Sequence, residues 1–242
     1  MPSEEMDFWS TPFRVLVEKA DALAEARSRH ASKPAEERRM AAEFEYGAGV
    51  ANYVVSKAMG DDCLPRDRWP RCVLALAIDP DYAPAILTVG SLEYQLGREE
   101  EAMRLFLILP EISWEEDDLA EIIGKAVDFL IDEGDMERAG ELSSKACRRH
   151  PGVARYHADL GYCLGKMGRK EKAVEQARRA LDCEPENHAL MSDLGWSLVE
   201  AGRHEEAEDV LEGAVEAAPD GYELAENNLD EVRRRMRESD TQ

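Results

Sequence analysis

The sequence is poor in the features that mark several common protein classes. Prolines number only 11 in 242 residues, and at 44% hydrophobic the chain is too apolar for a disordered polymer. It lacks any run approaching the roughly 18–20 uninterrupted apolar residues of a membrane span. A charged fraction of 34% points the same way, against membrane insertion. Cations are outnumbered: 30 Lys and Arg face 52 Asp and Glu, a formal charge of −22. A duplex-binding surface must neutralise phosphates, so nucleic acid is not an expected partner. The five cysteines, at 63, 72, 147, 163 and 183, form no Cys-x-x-Cys pair and match neither a zinc ribbon nor a disulfide framework. They read as small helical thiols in a reducing compartment. Glu4, Glu5 and Asp7 stand where a secretory signal carries Lys or Arg, so the expected location is cytoplasmic.

Catalytic signatures are also missing. There is no Gly-x-Ser-x-Gly, His-Glu-x-x-His or Walker sequence. The acidic runs Glu99-Glu100-Glu101 and Glu115-Glu116-Asp117-Asp118 read as solvated faces. Cys147 and His150 lie three apart at a helix end, but no further ligands converge on them. Gly47-Ala48-Gly49 lacks the lysine of a phosphate loop and reads as a close helix contact, and His157 reads as a core imidazole. The expectation is a non-enzymatic protein without metal or cofactor.

What the chain does contain is a repeat of 34 residues. Leu160-Gly161 recurs as Leu194-Gly195, Gly168 as Gly202, Ala173 as Ala207, Ala180 as Ala214 and Pro185 as Pro219. One period upstream stand Gly134, Ala139, Ala146 and Pro151. The glycines follow the last periodic residue of one helix, where a left-handed cap is needed, and the prolines stop the next. A less regular unit keeps Ile86, Val89, Gly90, Gly97, Ala102 and Phe106, with three extra residues expected near Pro110 to Trp114. A degenerate one keeps Ala75 and Pro80, with Gly60 to Pro65 as its turn.

The ends differ from the middle. Ser10-Thr11-Pro12 is a helix start, followed by a stripe of Phe13, Leu16, Val17, Ala20, Leu23 and Ala24. Lys33-Pro34 breaks that helix, and a longer one is expected from Ala35 to Met59. Beyond Pro219, Tyr222, Leu224, Ala225, Leu229, Val232 and Met236 mark a final amphipathic helix, with Arg233, Arg234, Arg235 and Arg237 on its solvated face.

These landmarks resemble the tetratricopeptide repeat (TPR) family, whose unit reads W-x2-L-G-x2-Y, then A-x3-F, then P. The match is best over 120–221. The resemblance implies an all-α, right-handed solenoid of antiparallel helix pairs, forming one continuous domain. Capping helices would occupy 1–48, followed by units at 49–82, 83–119, 120–153, 154–187 and 188–221, with a C-terminal capping helix and tail at 222–242. It also implies an adaptor that binds a protein or peptide segment in a concave groove. Carried over by repeat position, the groove residues are Tyr53, Lys57, Leu87, Ser91, Tyr94, Asp128, Arg155, Tyr162, Lys166, Ser192, Trp196 and Glu200.

The carboxylate clamp of the family's heat-shock co-chaperones is missing, since Ala158, Tyr162, Ala189 and Asp193 stand where its Lys and Asn residues would be. Charge is uneven: unit 83–119 has two basic and nine acidic residues, unit 188–221 one and nine, and unit 154–187 seven and six. Such acidic blocks favour a partner with basic stretches. A chaperone or regulatory subunit that shields a client is the alternative role, and self-association stays open.

Overall fold

The computed structural model describes residues 20–58, 69–219 and 223–239, and their regular structure is entirely helical. The Ser10-Thr11-Pro12 start, the 60–65 turn, Cys63 and Tyr222 lie outside the described residues. The chain divides into two compact units, Met1–Ile122 and Ile123–Gln242. No helix among the described residues is long and apolar enough to cross a membrane.

In the first unit, α1 (Ala20–His30) ends before Pro34, and α2 (Ala35–Ala58) carries Glu36 and Glu37 in its first turn, where the helix dipole favours acid. Helix α3 (Trp69–Ile78) packs on α2, and α4 (Ala83–Gln95) pairs with the short α5 (Glu99–Phe106). The close approach of that pair depends on Gly90, because a methyl group there would meet the Phe106 ring at 2.5 Å. The extra residues near Pro110 form a 3-10 turn, Leu109–Glu111, and a loop that folds Trp114 onto Tyr82, with ring centroids 5.5 Å apart. Arg39 closes the other side of Trp114, its guanidinium 4.2 Å from the ring centroid and one N–H donating to the Ser113 carbonyl at 3.0 Å. The insertion is therefore part of the core. Gly47 departs from the expected close contact: it is exposed on α2, with open space where a side chain would stand.

Helix α6 (Glu116–Asp132) runs into the second unit, where α7 (Met136–Arg149), α8 (Ala154–Lys166), α9 (Lys170–Cys183), α10 (His188–Glu200), α11 (His204–Ala217) and α12 (Glu223–Ser239) follow. The repeat glycines do what the sequence requires of them. Gly134, Gly168 and Gly202 have φ of 82°, 75° and 79°, and Gly97 in the first unit has 75°. Each donates its N–H to the carbonyl three residues back while the next residue bonds five back, the double bond that closes a helix C-terminus. Asp135 and Asn187 cap the starts of α7 and α10 by accepting backbone N–H bonds. The core of this unit runs from Val174 through Leu194, Leu198 and Leu211 to Leu229 and Val232, so α12 covers the last apolar face.

Candidate functional site: a groove under the terminal helix

Large apolar side chains are usually buried, so those left exposed are informative when they cluster. In the second unit Tyr162 is 48% exposed, Trp196 39% and Leu224 48%. All three line one groove of about 370 Å3 between α8, α9, α10 and α12. Its floor is Gly161, Gly165, Ala173 and Ala177. These residues are small because α8 and α9 meet there: a methyl group on Gly161 would lie 3.4 Å from the Ala173 carbonyl oxygen. The requirement for close helix packing thus leaves a smooth apolar trough flanked by aromatic rings.

Charges around the trough fall into two kinds. Some are spent within the protein. The Arg235 guanidinium lies 5.5 Å from the Trp196 ring centroid and 3.5 Å from Glu200, so α12 holds both the ring and the carboxylate. Arg155 donates to Asp128 at 2.9 Å and lies 3.6 Å from Asp159. Burial pushes the Asp159 carboxyl up to about 6, with Arg155 opposing and Asp128 and Asp193 adding to the rise. Others face the trough. Lys166 sits over Tyr162, its ammonium 5.1 Å from the ring centroid, and Lys170 and Asp193 line the groove. Asp193 is also raised, by desolvation.

A second cavity of about 580 Å3 is lined by Cys147, His157, Gln176 and Cys183, among others. His157 is buried, its Nε2 3.1 Å from the Pro151 carbonyl oxygen and its Nδ1 2.9 Å from the Gln176 side-chain amide oxygen. Burial pushes the Cys147 thiol up to about 12 and raises Cys183, which disfavours the nucleophilic thiolate at both. Cys72 and Cys163 are buried as well. Among the described residues no three His, Cys, Asp or Glu side chains gather as a metal-binding group.

Residues 158–222, which hold this groove, match the family model described as tetratricopeptide repeat. Over those residues the chain carries the tetratricopeptide repeat pattern. Among solved structures it is similar to YrrB, described as a TPR protein with an unusual peptide-binding site, at 18% identity and a TM-score of 0.48, over 74% of this chain and 89% of that one. It is similar to TTC0263 of Thermus thermophilus at 20% identity and a TM-score of 0.45, over 78% and 97%. The second TPR domain of human RPAP3, solved with the HSP70 peptide SGPTIEEVD, matches at 20% identity and a TM-score of 0.44, over 48% and 97%. No match is found among the curated proteins.

The repeat positions distribute as follows. Tyr162, Lys166, Trp196 and Glu200 come together in the groove. Asp128 and Arg155 are exposed but bonded to each other. Ser192 is fully buried and offers no atom to a ligand. In the first unit Leu87, Ser91 and Tyr94 are half-buried on α4, and the Ser91 hydroxyl donates to the Leu87 carbonyl at 3.0 Å. Tyr53 and Lys57 lie on α2, with side chains outside the described residues. Sequence reasoning missed Leu224 and Asn228, which α12 brings to the groove, and the Asp193 wall. The only signal for the first two was the non-repeating Leu224, assigned to capping.

Proposed function

We propose that the chain is a non-catalytic protein-interaction module that holds a segment of another protein in the groove between α8, α10 and α12. The observation that carries this reading is the convergence of Tyr162, Trp196 and Leu224 on one small-residue trough. Aromatic side chains give contact area at low entropic cost, which is why they dominate binding hot spots.

The test is selection of random peptides displayed on phage by the full-length protein, beside the Tyr162→Ala/Trp196→Ala double variant. Peptides retained by the first should be lost by the second, with a roughly thirtyfold or greater fall in affinity for a synthetic copy. Circular dichroism should report unchanged helicity, since both rings stand at the surface. Equal retention by a folded double variant overturns the reading.

A further inference from the structure

The groove combines an excess of unspent charge with a fixed polarity. In a chain of net charge −22, most arginines near this face are already bonded to carboxylates: Arg155 to Asp128, Arg178 to Glu206, Arg203 to Glu206 and Arg235 to Glu231. Lys166 and Lys170 are exceptions. Both are exposed, both line the groove, and neither has a carboxylate partner within the described residues. They belong to unit 154–187, whose seven basic and six acidic residues leave it near neutral in an otherwise acidic chain. Glu200, the acidic lining residue at the same repeat position as Lys166, lies 3.5 Å from Arg235, so its charge is already engaged.

Further along the trough stands Asp193, exposed and without an ion-pair partner among the described residues. Asp193 and Glu200 are seven residues apart on α10, and Glu200 occupies the same repeat position as Lys166. At a rise of about 1.5 Å per residue the two charged levels are roughly 10 Å apart. An extended chain covers that in about three residues. Between them lie the apolar floor and the two rings.

Resting on the peptide-groove reading, we propose that this site selects a bipolar segment. An acidic side chain of the partner lies against Lys166 and Lys170, and a large apolar side chain fills the floor between Tyr162 and Trp196. A basic side chain about three residues away meets Asp193. Complementary charges at the two ends set the direction of the bound chain, while the apolar centre supplies most of the affinity.

The same peptide selection tests this, using full-length protein and the Lys166→Glu/Lys170→Glu and Lys166→Gln/Lys170→Gln variants. Wild type should enrich peptides with an acidic and a basic residue about three positions apart around an aromatic or aliphatic one. The glutamate variant should replace the acidic residue with Lys or Arg, and the glutamine variant should lose the preference at that position. A synthetic consensus peptide should bind the glutamine variant up to roughly tenfold more weakly, and the difference should shrink at about 0.5 M salt. Peptides that depend on Tyr162 and Trp196 but show no charge pattern overturn this inference and leave the groove reading standing. Absence of any ring-dependent peptide overturns both.

Discussion

Gly195 and Gly47 show how differently one residue type behaves in this chain. A methyl group on Gly195 would overlap the fully buried Leu211 side chain, which has no room to retreat. Gly195→Ala should therefore lower stability by about 1–3 kcal/mol in denaturant unfolding. Gly47 sits in the interior of α2 with nothing within 4 Å of the position a Cβ would take, so Gly47→Ala should instead raise stability by about 0.5–1 kcal/mol. A spacing pattern cannot tell these two apart, because it registers a small residue and not what faces it. The 34-residue recurrence marks Gly195 but not the Leu211 it faces, and in the Gly-Ala-Gly of α2 Gly47 makes no close contact while Gly49 is buried.

Asp159 is a residue whose cost the sequence hides. Its carboxyl is pushed up to about 6 by burial, above the ordinary range near 4, so between about pH 4 and 6 the folded chain holds a proton that the unfolded chain has released. Its contribution to stability is therefore fullest at low pH and falls as pH rises through that window. Asp159→Asn removes the penalty, and Arg155 keeps Asp128 at 2.9 Å. The variant should gain on the order of 2 kcal/mol over wild type at pH 7.5 and nothing at pH 4, read from paired melting curves. A gap independent of pH would mean that Asp159 is ionised without cost.

At the scale of elements, the terminal helix has three tasks. It buries Ala225, Leu229 and Val232 against α10 and α11. It supplies Arg233, bonded to Glu208 at 2.7 Å and Glu212 at 2.5 Å, to the acidic α11. It also brings Leu224 and Asn228 to the groove. Removing residues 222–242 should expose Leu198 and Leu211, and sedimentation should show aggregation or hydrogen exchange should show early opening of α10 and α11. A monomeric truncation with unchanged exchange would refute the capping role. The buried stripe of this helix was legible from the spacing of Ala225, Leu229 and Val232, whereas Leu224, read with them, is exposed. The helix's part in the groove was not legible, because α12 lies outside the 34-residue period and only its docking decides which side chains reach the trough. For the same reason the repeat placed Tyr162 and Trp196 correctly on one face, yet gave no hint that Arg155 is consumed by Asp128 and Asp159.

At the scale of the whole molecule, the net charge of −22 sets opposite salt responses for folding and for binding. Like charges are concentrated where the chain is helical, as in Glu205, Glu206, Glu208, Asp209 and Glu212 of α11, only some of which find an arginine. Raising ionic strength from about 0.01 M to about 0.15 M shortens the screening length from roughly 30 Å to roughly 8 Å, which weakens that repulsion. It also weakens the exposed ion pairs, but each is worth about 0–1 kcal/mol and together they leave 22 negative charges uncompensated. Repulsion should dominate, so the melting temperature at pH 7.5 should rise with salt by about 2–4 °C for each kcal/mol gained. Peptides anchored on Lys166 and Lys170 should weaken over the same range, because their contacts are attractive and exposed. A melting temperature that falls with salt would mean that the arginine–carboxylate pairs, and not the excess acid, control the electrostatics of the fold.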